Sequence, residues 1–333
     1  MTLEFGIFSV VDHYPKELPR TSAQLYAELL EQVQAAEEWG FESFWVAEHH
    51  FHEYGGIPRP PIWMAAAAER TRRIRLGAAV VVLPFDSPLR VAEDYAMVDI
   101  LSNGRLNLGT GSGYLKHEFE GFGIGPEEKR ERFDEALEIV LRAWRGERFS
   151  YEGKYHRVQD VQLNVLPVQK PRPPVWIAIL RNEAAPFVGR KGYPIMMIPY
   201  ATTEALSEIA GTIRAFREAF VASGRDPAEA TVPFGLHTYV ADSFAQATAG
   251  AREAMERYVR TRLYAKQRPY ETLVEKDLIA FGSPEDVARV ARKYAEAGLT
   301  HFLAIPNFGG LEHKKVLRSM EQLAKEVVPA FRA

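Results

Sequence analysis

Apolar residues recur along this chain in two alternating rhythms. Runs of four to ten residues rich in β-branched and aromatic side chains alternate with longer stretches in which apolar residues return every third or fourth place. The first rhythm predicts strands and the second helices. Eight runs carry the strand signal: Leu3–Val10, Ser43–Ala47, Ile74–Leu83, Arg105–Gly109, Val175–Ile179, Ile195–Ile198, Phe234–Val240 and Phe302–Ile305. Between them, Ala23–Trp39 sets Leu25, Leu29, Val33 and Ala36 on one helical face, and Phe133–Trp144 does the same with Leu137, Ile139, Val140 and Leu141. Gly40 stops the first helix, while Ser283-Pro284-Glu285 and Gly298 open and close a late one. Strands alternating with helices predict an α/β fold with parallel strands. Eight of them fit closure into a (β/α)8 TIM barrel, read as one domain over residues 1–333.

Two stretches exceed the minimal repeat and are expected as insertions at the carboxyl face. Arg148–Arg172 holds Tyr151-Glu152-Gly153-Lys154-Tyr155, a turn between aromatics that predicts a small hairpin. Leu263–Phe281 mixes charge, Pro269 and aromatics without a period and is expected to be a lid loop.

Composition narrows the chemistry. With 47% hydrophobic and 26% charged residues, the chain can bury a large core and keep a wet surface. A net charge of −3 offers no field for a polyanion, so nucleic acid is not expected as a partner. The opening MTLEFGIFSVVDHYP has no basic segment before a long apolar one, and no apolar run is long enough to span a bilayer. A cytoplasmic protein without membrane contact is expected. The absence of cysteine removes disulfides, iron–sulfur clusters, thiolate zinc sites and cysteine nucleophiles together. Catalysis then falls to oxygen and nitrogen side chains or to a bound cofactor.

In a (β/α)8 barrel the reactive groups stand where strands end, so residues after each run come first. The second run is followed by Glu48-His49-His50-Phe51. These histidines fit structural or surface roles, acid–base catalysis, or a metal. The metal is disfavoured, because the pattern is not HExxH and no second cluster supplies ligands. After the fourth run, Gly109-Thr110-Gly111-Ser112-Gly113-Tyr114 reads as a loop of little bulk, able to cradle a phosphate, lie against a flat ring, or simply turn. It lacks the acidic residue of a Rossmann fingerprint. Leu180-Arg181-Asn182-Glu183 follows the fifth run at a helix start, where Arg181 could offer a fork of donors to an anion or lie solvated. Asn307-Phe308-Gly309-Gly310 after the eighth fits a pocket rim or an ordinary turn.

Four blocks in this order resemble the luciferase-like flavin monooxygenases: GFESFWVAEHHF (Gly40–Phe51), RLGAAVVVLPFDSPLRVAEDYAMVDILSNGRL (Arg75–Leu106), LGTGSGYLKHEFEGFGI (Leu108–Ile124) and IPNFGGLEHKKVLRSMEQLAKEVVPAF (Ile305–Phe331). The resemblance implies reduced FMN delivered by a separate flavin reductase, reaction with O2 through a flavin hydroperoxide, oxygenation of a small organic substrate, and a homodimer. It makes His49 the catalytic histidine and sets Ala79-Val80 at a non-prolyl cis peptide under the flavin ring. It also makes Gly111, Ser112, Gly113 and Tyr114 cofactor contacts and Leu180-Arg181 the approach to the flavin phosphate. Gly111 stands where luciferase has a reactive cysteine. Ile179-Leu180-Arg181-Asn182 lacks the serines and threonines relatives place around the phosphate, which leaves Arg181 or backbone amides to hold it. Two other readings remain open: an F420-dependent hydride-transfer enzyme of the same superfamily, and a non-catalytic flavin-binding partner subunit.

Overall fold

A computed structural model describes residues 3–198, 203–263 and 267–332. Its strands are β1 (Glu4–Ser9), β2 (Ser43–Val46), β3 (Arg75–Val82), β4 (Leu106–Gly111), β5 (Phe149–Glu152), β6 (Arg157–Val161), β7 (Val175–Ala178), β8 (Ile195–Met196), β9 (Pro233–Val240), β10 (Ala280–Gly282) and β11 (His301–Ile305). Nine of them form one parallel sheet in the order β10-β9-β11-β1-β2-β3-β4-β7-β8. The sheet curls back on itself: Met197, just past β8, bridges Phe234 in β9, with Gly235 N–H donating to the Met197 carbonyl at 3.0 Å. All eight predicted runs are strands of this sheet.

The helices are α1 (Ser22–Glu38), α2 (Pro60–Arg70), α3 (Pro88–Leu101), α4 (Lys116–Phe122), α5 (Lys129–Ala143), α6 (Ala185–Arg190), α7 (Leu206–Ala222), α8 (Phe244–Thr261), α9 (Tyr270–Glu275), α10 (Pro284–Glu296) and α11 (His313–Gln322). Local sequence accounts for their ends. Thr21 caps α1 through a reciprocal box with Gln24, and Ser283 caps α10 with Asp286 in the same way. Each cap satisfies donors that a helix start would otherwise leave orphaned. Leu25, Leu29, Val33 and Ala36 of α1 are buried as their spacing predicts. In α5, Leu137, Ile139 and Val140 are buried, but Leu141 is only partly so and lines a cavity. No described helix is long and apolar enough to cross a membrane.

Inside the sheet, large and small side chains interlock. A Cβ at Gly77 would lie 2.1 Å from ring carbons of the buried Trp45, so glycine at this point of β3 makes room for the indole. Trp45 meets Trp176 edge-on at 5.5 Å, and its ring N–H donates to Ser43 Oγ at 2.8 Å. Burying an aromatic of this size contributes roughly 2–3 kcal/mol, enough to fix the register of β2 against β3.

The structure corrects three expectations. The Gly109–Tyr114 segment is not all loop, since β4 continues to Gly111. Here the small residues serve close approach: a Cβ at Gly109 would meet the Ala78 carbonyl at 2.5 Å, and one at Gly111 would meet Val80 Cγ2 at 2.7 Å. The segment Leu263–Phe281 is not one irregular loop either. It holds α9, and Ala280–Gly282 form a ninth strand paired with Thr238–Val240, too short to register as a period; residues 264–266 lie outside the described residues. Asn307 and Phe308 are buried away from the cavity rather than on its rim: Asn307 donates to Gln32 Oε1 at 3.1 Å and Phe308 packs against His237 and Tyr258. The hairpin predicted within Arg148–Arg172 is present as antiparallel β5–β6.

Candidate functional site

Because the strands are parallel, their carboxyl ends share one side of the sheet, and there a cavity of about 1250 Å³ opens. Ligand sites commonly hold about 300–1,000 Å³, so this one has room for a large cofactor with a small molecule beside it. His49, Ala79, Val80, Gly111, Ser112, Gly113, Tyr114, Leu180 and Arg181 all line it. These residues span four strand ends and 132 positions of sequence from first to last (181 − 49), yet the fold brings every one to the same cavity.

His49 leaves β2 with its ring partly covered. Its Nδ1 lies 3.0 Å from Oε1 of Glu118, a buried residue in the first turn of α4. The same Oε1 accepts the His50 N–H at 2.9 Å, so one carboxyl fixes both the ring and the backbone that carries it. With a carboxyl acceptor at Nδ1, the imidazole donates there and turns the lone pair of Nε2 outward. Burial pushes the His49 imidazole below its ordinary value; Glu118 opposes this without cancelling it, and the charge of Arg262 adds to the fall. The ring is therefore neutral near pH 7. Edge-on contacts to Tyr54 at 5.0 Å and Tyr114 at 6.1 Å hold its plane. His50 turns the other way, with Nε2 3.2 Å from Glu48 Oε1, and burial pushes the Glu48 carboxyl up despite that bond.

Between β3 and β4 lies the floor. The Ala79-Val80 peptide is cis and not prolyl, as the resemblance implied. The β3–β4 register shifts between Ala78 and Val81, so the two residues stand off the ladder. Gly111 presents no side chain beside Val80, and the pair leaves a smooth apolar surface.

Farther along, positive charge gathers. Lys129 opens α5, and Arg181 follows β7; neither forms an ion pair among the described residues. Burial, then the nearby Arg181 charge, push the Lys129 ammonium below its ordinary value. Arg130 and Lys191 lie 5.4 and 4.9 Å from the centre of the Phe187 ring, and Lys191 is paired with Asp134 at 2.8 Å. Among the described residues no group of three or more histidine, cysteine, aspartate or glutamate side chains is placed to hold a metal ion.

Sequence reasoning missed Glu118, Lys129, Tyr54 and Arg262. Glu118 sits 69 positions from its partner and one turn into a short helix, where nothing local marks it. Lys129 heads a charged run, KRERFDE, whose helical spacing reads as a solvated face.

Known proteins carry the same arrangement of sequence and fold. The profile of the luciferase-like monooxygenases matches residues 3–301. The chain belongs to this family. It spans about half the length of the first curated relatives it matches, such as an uncharacterized protein of Sinorhizobium fredii at 40% identity over 190 residues, 57% of this chain and 54% of that one. Along nearly the whole chain it is similar to the oxygenase component of a flavin-dependent trigonelline monooxygenase from Acinetobacter baylyi (28% identity, 99% and 96% of the two chains). It is also similar to an F420-dependent glucose-6-phosphate dehydrogenase from Amycolatopsis mediterranei (28%, 92% and 95%). The crystal structure of monooxygenase RslO1 from Streptomyces bottropensis superposes with a TM-score of 0.92 at 30% identity, covering 99% of this chain and all of that one. Family members thus include both flavin-dependent monooxygenases and F420-dependent oxidoreductases.

Proposed function

We propose that this luciferase-like chain is the oxygenase component of a two-component monooxygenase, built on a (β/α)8 barrel closed between β8 and β9. It takes reduced FMN from a separate flavin reductase and uses O2 to oxygenate a small organic substrate. One observation carries the reading: a single cavity joins a neutral, carboxyl-oriented histidine, a smooth floor at Ala79-Val80 and Gly111, and two unpaired cations. A flavin mononucleotide asks for such a sequence of surfaces.

The residues fit the group. Among the described residues Lys129 and Arg181 meet no carboxylate, which suits a dianionic phosphate, and a Cβ at position 111 would press on Val80 where a flat ring needs clearance. Reduced flavin, when bound, supplies the electrons that make O2 reactive. The protein's part is orientation and shielding. Val80, Phe8 and Val10 present apolar surface that keeps water from the ring's neighbourhood, and Tyr54 and Tyr114 hold the His49 plane. His49 Nε2 accepts or returns a proton beside the reacting atoms, and Glu118 at Nδ1 stabilises the imidazolium that forms.

A reductase partner follows from the lack of a nicotinamide fingerprint in the sequence and from the relative named an oxygenase component. A homodimer in the cytoplasm is part of the same proposal; Ile62 of α2 and Met97, Ile100 and Leu101 of α3 are exposed apolar side chains on two packed helices, which suits a second copy. Purified chain given NADH and FMN should leave NADH unoxidised, and a flavin reductase should restore NADH-driven oxygen consumption coupled to product. Rapid NADH oxidation by the chain alone would refute the two-component reading. The second reading, F420-dependent hydride transfer, draws on the F420-dependent relative and on the further cations Arg130 and Lys191 at the rim, which suit a longer anionic tail.

A further inference from the structure

Four adjoining strands bring no polar side chain to the cavity. Among the described residues, β1 contributes Phe8, β8 Met196, β9 Gly235 and β11 Leu303. Just past β1 and β8, Val10, Met197 and Ile198 extend the same surface. The charged groups of the cavity come from other elements, as Glu48 and His49 do after β2, Glu118 in α4 and Arg181 after β7. The parts of this apolar wall meet one another. Leu303 pairs in register with Gly235, and a Cβ at Gly235 would stand 2.9 Å from Phe8 Cδ1. Glycine at this point of β9 therefore gives the Phe8 ring its place against the strand.

The order β9-β11-β1-β2-β3-β4-β7-β8 runs into a ring once Met197 bridges Phe234. In that ring β9 and β11 stand four places from β3 and β4, so the wall lies across the interior from the floor at Ala79-Val80 and Gly111. Met197, just past β8, stands likewise across from His49, past β2. A molecule between wall and floor thus has the imidazole at its edge. Arg262, one residue past α8, also lines the cavity, but it is engaged: it donates to the Tyr258 hydroxyl, stacks between the rings of Tyr54 and Tyr258 at 4.1 and 4.2 Å, and its charge acts on the buried Asp12 carboxyl. A charged ligand on the wall would lose hydration and find no partner side chain there, whereas a neutral one gains with each apolar area it covers. Methionine sulfur adds a polarisable surface that suits an aromatic ring.

We propose that the wall of Phe8, Met197, Gly235 and Leu303 is the substrate's seat, and that the substrate is a neutral, mostly hydrocarbon molecule lying between it and the Ala79-Val80 floor. Phe8 and Gly235 set how deeply it sits, because a side chain at position 235 would drive the Phe8 ring into the space. These are specificity residues, and His49 remains the group beside the reacting atoms. The proposal rests on reading the cavity as a cofactor and substrate site.

Anaerobic calorimetry with toluene, benzoate and benzylammonium, which share a ring and differ in charge, tests it on the purified chain with and without saturating reduced FMN; reduced FMN is titrated separately. Toluene is expected to bind at least tenfold tighter than either ion, and to do so with FMN present. Gly235→Ala should weaken toluene by about fivefold or more, the scale of one overpacking contact, and leave FMN affinity unchanged. Met197→Gln, close in size, should weaken toluene roughly three- to tenfold by placing an amide on the wall, again sparing FMN. Should Gly235→Ala fail to fold, Met197→Gln decides the matter. Benzoate or benzylammonium binding as tightly as toluene, toluene excluded by FMN, or toluene affinity unmoved in both variants would overturn the seat while leaving the flavin reading intact. Failure of wild type to bind reduced FMN, with the preference for toluene preserved, would instead overturn the flavin reading and keep the apolar seat.

Discussion

Replacing Arg181 by alanine separates a phosphate contact from a ring contact. Arg181 lines the cavity near Lys129, exposed to solvent and, among the described residues, with no carboxylate paired to it. A charge-assisted contact is worth about 1.5–3 kcal/mol. Exposure and salt screening pull an open site toward the lower figure, so the expected loss for FMN is about tenfold at moderate salt. Riboflavin has no phosphate and should bind both forms alike. Arg181→Ala should also flatten the salt dependence of FMN affinity, because one screened charge is gone. Lys129 modulates the size: without Arg181 beside it, its ammonium recovers toward its ordinary value and keeps part of the attraction. The assay is anaerobic titration of both reduced flavins against wild type and variant. Gly111→Ala serves as the contrasting control: its Cβ would stand 2.7 Å from Val80 Cγ2 on the floor, so it should weaken both flavins to a similar degree. If Arg181→Ala weakened riboflavin as much as FMN, or changed neither, the assignment of this end of the cavity to the phosphate would be wrong.

Two further outcomes test the histidine. His49→Ala should lower product formation by about 10²–10⁴-fold, the range of a general acid–base group, with little change in melting temperature, because Glu118 keeps its bond to the His50 N–H; parallel loss of activity and stability would make His49 structural. Glu118→Gln removes the charge that favours the imidazolium, so the His49 value should fall further and the acidic limb of the pH–rate profile should move to lower pH. An unmoved or rising limb would mean that Glu118 does not act through His49.

Much of this architecture was legible because its signals are local. Eight strands of the main sheet announced themselves by dense runs of β-branched and aromatic residues, and helix ends by Gly40, Ser283 and Gly298. The ends of those strands pointed to His49 and Arg181, since a parallel sheet gathers its carboxyl ends on one side, and the family resemblance added Ala79-Val80. What escaped depends on distance. Glu118 acquires its meaning only when α4 packs beside β2, and Arg262 only when the end of α8 carries it between Tyr54 and Tyr258. The predicted fourth strand stopped at Gly109 and left Gly111 to a loop because glycine signals a turn in a single chain, whereas here it grants β4 a close approach to Val80.

The central claim, a site shaped for reduced FMN, is tested most directly by titrating the purified chain anaerobically with reduced FMN, oxidised FMN and F420 under identical conditions. Reduced FMN is expected to bind tightest and F420 weakest. Tight F420 binding with reduced FMN ignored would contradict the claim and turn the same histidine and cavity to hydride transfer.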